Sequence, residues 1–180
     1  MLMRREQSLL LVVDIQEKLA PTILNADAVV ANAVKLIQAA QHLNVPILAS
    51  EQYPKGLGRT VALLRNLLPS AALFDKTHFS CLREPGLADR LRQTQRQQMI
   101  VCGMEAHVCV LQTALDLKAA GYTTMVVADA VSSRQQENYA LGLARLRDAG
   151  VEIATTEMVL FEWIGQAGTP EFKSLLALIK

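Results

Sequence analysis

In Ser8-Leu9-Leu10-Leu11-Val12-Val13-Asp14, five consecutive apolar residues from Leu9 to Val13 are closed by an acid. A half-buried strand alternates apolar and polar residues. A run that is apolar at every position belongs to a strand covered on both faces, as in a parallel sheet. Outward from it, similar runs recur at 45–50, 72–74, 98–102, 124–128 and 152–155. Helical patterns lie between them. Residues 26–43 carry Val30, Val34, Ile37 and Ala40 on one stripe, Val61, Leu64 and Leu68 mark a second helix, and Leu87 and Leu91 a third. Residues 108–120 are apolar nearly all round and stop at Gly121, the pattern of a buried helix. Residues 133–149 open on Ser133 as a cap and close at Gly150, and Thr169-Pro170-Glu171 is a capped start for the last helix. Six strands alternating with helices predict an α/β fold: one three-layer domain over 1–180 with a six-stranded parallel sheet, in the order 3-2-1-4-5-6.

Composition narrows the function classes. The chain has 180 residues, 51% of them apolar, and a formal net charge of +1 with no basic block, so neither nucleic acid nor an anionic membrane is expected as partner. Aromatic residues, at 4%, are too few for base-stacking surfaces. The first apolar run is too short for a signal segment, and no stretch approaches membrane-spanning length. Cys81, Cys102 and Cys109 are an odd number without a CxxC pair, which disfavours a disulfide framework or zinc knuckle and fits a reducing, cytoplasmic setting. No glycine-rich phosphate loop follows the first strand. The large apolar groups Phe161, Trp163, Ile164 and Phe172 near the chain's end suggest a homo-oligomer.

Three ionisable residues stand at strand ends: Asp14 after the first run, Lys76 after the third, and Cys109 after the fourth, at the start of a helix. Each has a plain alternative. Asp14 can cap a helix, Lys76 can pair with Asp75 in solvent, and Cys109 can be a small core residue. Taken together they suggest a nucleophilic hydrolase. A helix start and a nearby lysine would both lower a thiol's pKa, and backbone N–H groups there would hold an oxyanion. With strands 1 and 4 adjacent, Asp14 and Cys109 meet at the switch point. Lys76 starts two strands away, roughly 10 Å, and must reach across with its side chain. His107 lies two residues before Cys109, a spacing that does not face it on a helix. No histidine pattern suits a metal.

The segments Leu10-Leu11-Val12-Val13-Asp14-Ile15-Gln16 and Gly103-Met104-Glu105-Ala106-His107-Val108-Cys109, with Lys76 between them, resemble the isochorismatase-like cysteine hydrolases. Glu51-Gln52-Tyr53-Pro54-Lys55-Gly56-Leu57-Gly58 is similar to their isochorismatase-domain-containing branch. The resemblance implies a Rossmann-like fold with Asp14 as general base, Lys76 as charge stabiliser and Cys109 as nucleophile. It also implies a cis peptide at Met104–Glu105 and an oxyanion hole from the N–H groups of Glu105 and Cys109. Gln16, Glu51, Tyr53, Phe79, Met104 and His107 would line the substrate pocket. The 51–54 loop lacks the histidines of nicotinamidases, so no metal and no other cofactor is expected. The cysteine is kept where isochorismate-cleaving members lack it, so vinyl-ether hydrolysis is not expected either. The function expected is hydrolysis of an amide-type C–N bond in a small molecule through a thioacyl intermediate. A non-enzymatic interaction protein and a thiol redox sensor on the same fold are the alternatives.

Overall fold

The computed structural model describes residues 1–179. Its sheet has six parallel strands: β1 (Ser8–Val13), β2 (Ile47–Gln52), β3 (Leu73–Lys76), β4 (Gln98–Met104), β5 (Thr123–Ser132) and β6 (Glu152–Ala154). They are ordered β3-β2-β1-β4-β5-β6, as expected. Every residue of β1 is buried. The strand's period of two sends Leu10 and Val12 into one core and Leu9, Leu11 and Val13 into the other. That division explains the unbroken apolar run.

The first core is closed by α1 (Ala26–His42), the short α3 (Ala62–Arg65), α7 (Thr156–Ile164) and α8 (Pro170–Ile179). The second is closed by α4 (Leu87–Gln93), α5 (Cys109–Ala119) and α6 (Gln136–Asp148). One turn of helix, α2 (Pro54–Leu57), follows β2. Among the described residues no helix is long and apolar enough to cross a membrane.

Several boundaries differ from the sequence reading. β2 runs on to Gln52 and β3 to Lys76, because the two pair through Glu51↔Asp75 and Gln52↔Lys76. The helix expected from Ser133 starts at Gln136, with Ser133 buried and bonded to His107 Nδ1 at 2.9 Å. Thr155, read as a strand end, caps α7 by accepting the Met158 N–H. The cap at Thr169 is present, its hydroxyl accepting the Phe172 N–H.

The apolar end of the chain folds largely onto its own core. Trp163 is 2% exposed, and its Nε1–H donates to Ser8 Oγ at 2.9 Å. Phe161 stays on the surface. The case for self-association therefore loses its largest residue. Trp163→Phe removes that donor and should cost about 1–2 kcal/mol of stability, read from urea unfolding. A cost near zero would mean that the bond contributes nothing.

Candidate active site

Gly103 sets the geometry at the carboxyl edge. It pairs with Val13, and its φ is +129°. A Cβ there would lie 2.0 Å from the Val13 carbonyl oxygen, so only glycine lets the ends of β1 and β4 approach this closely. The chain leaving β1 enters Asp14 at φ 52°, a left-handed conformation that aspartate tolerates better than most residues.

Asp14 is fully buried and held at both oxygens. Ser50 Oγ donates to Oδ1 at 2.7 Å, and Lys76 Nζ donates to Oδ2 at 2.7 Å. Lys76 reaches it across the end of β2. Its ammonium also donates to Gln52 Oε1 at 2.6 Å and to the carbonyls of Phe79 and His78 at 3.1 and 3.2 Å. Burial is the largest single influence on Lys76 and works against its charge, but the charge and hydrogen bond of Asp14, with smaller contributions from the neighbouring cysteines, together outweigh it and the pKa rises. Lys76 therefore pairs with Asp14 and not with Asp75, whose carboxylate takes Arg59.

Cys109 is the first residue of α5, as the sequence suggests. Its titration does not follow the expectation. Burial, and then the negative charge of Asp14, push the thiol pKa well above the ordinary range; Lys76 pulls it down but does not prevail. The resting group is a neutral thiol beside a carboxylate, not a standing thiolate. Cys81 sits behind the same cluster. Its Sγ is 3.5 Å from Ser50 Oγ, and burial followed by the Asp14 charge pushes its pKa up to about 11.

The Met104–Glu105 peptide bond is cis. The N–H groups of Glu105 and Cys109 donate to no protein acceptor among the described residues. Both residues border a cavity of about 380 Å³ that also reaches Asp14. Leu19, Leu57, Phe79 and Val108 form its apolar walls, and Thr22 and Gln52 add polar ones. Lys18 and Arg134 bring positive charge to it.

The isochorismatase domain model matches residues 8–158. The chain belongs to the isochorismatase family. Isochorismatase domain-containing protein 2 of Danio rerio is 44% identical over 174 residues, covering 96% of this chain and 86% of the relative. The structure of MAR1 ribonuclease from Caenorhabditis elegans is 38% identical with a TM-score of 0.93, covering 99% of this chain and 92% of that one. The YcaC gene product of Escherichia coli, an octameric hydrolase of unknown specificity, shares the fold at 21% identity and a TM-score of 0.92, covering 98% of this chain and 90% of that one.

Within this isochorismatase-like hydrolase fold, Asp14 lies between Lys76 and Cys109, and Phe79 lines the cavity with Asp14 and Cys109. The other side chains expected in the pocket lie elsewhere. Gln16 is buried, holding the Gln52 and Gly58 carbonyls through Nε2 and the Gln52 N–H through Oε1. Glu51 is satisfied by Arg59 and by the N–H and hydroxyl of Thr60. Tyr53 borders a neighbouring cavity, with Lys55, Arg59, Lys76 and Glu84. Met104 is core, and the His107 ring is tied to Ser133. Sequence reasoning missed Ser50, Gln52, Lys18 and Arg134. Position in the chain pointed to two of them: Lys18 lies in the turn after β1, and Arg134 just past the carboxyl end of β5, beside β4. Among the described residues no three His, Cys, Asp or Glu side chains are grouped to hold a metal ion.

Proposed function

We propose that the protein is a cysteine hydrolase of small-molecule amides that works through a thioacyl enzyme. The observation that carries this reading is the buried Asp14 carboxylate, ion-paired to Lys76 at 2.7 Å and lying beside a thiol that lines a cavity. Asp14 takes the thiol proton as sulfur attacks the carbonyl carbon, so the thiolate exists only as it reacts. The oxyanion falls to the free N–H groups of Glu105 and Cys109. Asp14 returns the proton to the departing amine. It then draws a proton from water, which attacks the thioester, releases the acid and restores the thiol. Lys76 keeps Asp14 placed through both half-reactions, and Ser50 fixes its other oxygen.

The MAR1 ribonuclease likeness suggests RNA cleavage as a second reading. The site favours the amide. No histidine lines the cavity, and its volume suits a small molecule. A redox role is disfavoured because oxidation runs through the thiolate, and burial followed by the Asp14 charge pushes the thiol pKa of both Cys81 and Cys109 up. An interaction protein would have no use for a buried ion pair beside a thiol.

The test is a panel of primary amides followed by ammonia release, with hydroxylamine added to trap the acyl group. Turnover, a hydroxamate product and an acyl mass on the Cys109 peptide are expected, all absent in Cys109→Ala. Ammonia release by Cys109→Ala at the wild-type rate would overturn the proposal.

A further inference from the structure

We infer that the substrate is an anionic amide, carrying a carboxylate remote from the scissile bond, and that Arg134 and Lys18 recognise that carboxylate. The inference rests on the hydrolase reading above. It comes from the charges around the cavity. Two acids border it, and both are already matched. Asp14 holds Lys76, and Glu105 Oε2 accepts the Arg134 backbone N–H at 2.9 Å and its Nε–H at 3.1 Å. The two cations that border it are not used up. Lys18 enters no ion pair among the described residues. Arg134 spends only Nε on its side-chain contact, so both terminal amino groups remain without a protein partner.

The contact with Glu105 does more than neutralise it. The Glu105 carboxylate is 8% exposed and the Arg134 side chain 58%, so a buried anchor orients an accessible guanidinium at the cavity. With Nε engaged, the free end presents two parallel amino groups, a fork that matches the two oxygens of a carboxylate. Lys18 adds a second charge without geometric demand. Leu57 and Phe79 leave an apolar stretch of wall for the body of the ligand. A neutral amide would leave Lys18 without a counter-charge and the terminal amino groups of Arg134 without a partner, and a cavity of about 380 Å³ suits a small anion.

The experiment needs no known substrate. Cys109 is labelled with 3-maleimidopropionate and, separately, with neutral N-ethylmaleimide, and adducts are counted on the Cys109 peptide. Each rate is normalised to that of a free neutral thiol, and the anionic-to-neutral ratio is the readout. In the wild type the ratio is expected to exceed one and to fall as salt is raised. Lys18→Gln and Arg134→Gln should each lower it about two- to fivefold, with Arg134→Lys recovering part of the loss. Arg134→Gln also removes the partner of Glu105. Lys18→Gln disturbs no other contact and carries the test should the first variant misfold. A wild-type ratio of one or below, or a ratio unchanged by Lys18→Gln, overturns the inference. So does a short oligoribonucleotide that protects Cys109 where succinamate does not. Turnover of neutral amides alone, dependent on Cys109, would keep the hydrolase and sink the anion. A charge-dependent ratio without any amidase activity would do the reverse.

Discussion

Asp14→Asn is expected to lower amide turnover by about 10²–10⁴-fold, the usual worth of a general base, and yet to make Cys109 easier to alkylate at neutral pH. The two effects separate because Asp14 acts on the thiol in opposite ways at rest and during reaction. At rest burial holds the thiol pKa above the ordinary range, and the negative charge of Asp14 adds to it by favouring the protonated form. Asn removes that charge while Lys76 stays, still held by Gln52 and the carbonyls of His78 and Phe79. The thiolate then faces an unopposed cation, its pKa falls, and the alkylation profile moves to lower pH. During turnover the loss is different. No group remains to carry the proton to the leaving amine or to take one from water. Iodoacetamide labelling against pH, beside ammonia release, measures both. A profile shifted to higher pH would show that Asp14 is not the charge facing Cys109.

Reasoning from the three strand ends alone leads to the opposite sign for that labelling experiment. A carboxylate seen only as a base predicts slower alkylation when it is removed. What the sequence does not carry is burial. Strand order and the positions of Asp14, Lys76 and Cys109 are legible because they follow from unbroken apolar runs and from the rule that parallel sheets act at their carboxyl edge. The degree to which a side chain is desolvated depends on loops that have no periodicity. The turn at 18–22 and the residues after β5 bring Lys18, Thr22 and Arg134 to the cavity. The 58–60 segment takes Gln16 and Glu51 away from it by supplying the Gly58 carbonyl, Arg59 and Thr60 as partners. Polar residues near a site thus divide into those that touch ligand and those that hold the loop, and only the partners distinguish them. The neutral resting thiol has the same origin. A helix start favours a thiolate, but Cys109 is 7% exposed beside a carboxylate, and both burial and that charge favour the protonated thiol.

Breaking the Asp14–Lys76 pair also carries a large expected cost in stability, and its test separates fold from chemistry. Lys76→Met should lower stability by about 3–5 kcal/mol, because removing one member of a buried pair strands the other. Both side chains are fully buried, so water cannot replace the lost ammonium. The pKa of Lys76 is raised on folding, so its contribution is complete below the ordinary lysine range and is lost only as alkaline pH passes the raised value. Urea unfolding at neutral pH therefore samples the intact pair. Lys76→Met should also shift Cys109 alkylation to higher pH, opposite to Asp14→Asn, since the one group lowering the thiol pKa is gone. The double variant Asp14→Asn with Lys76→Met leaves neither charge stranded, and should regain a large part of the stability while staying inactive. If Lys76→Met alone does not fold, recovery of folded protein in the double variant makes the same point. A single-variant cost below about 1 kcal/mol, the range of exposed pairs, would mean that water reaches the pair and that Lys76 is not the fixed support the mechanism requires.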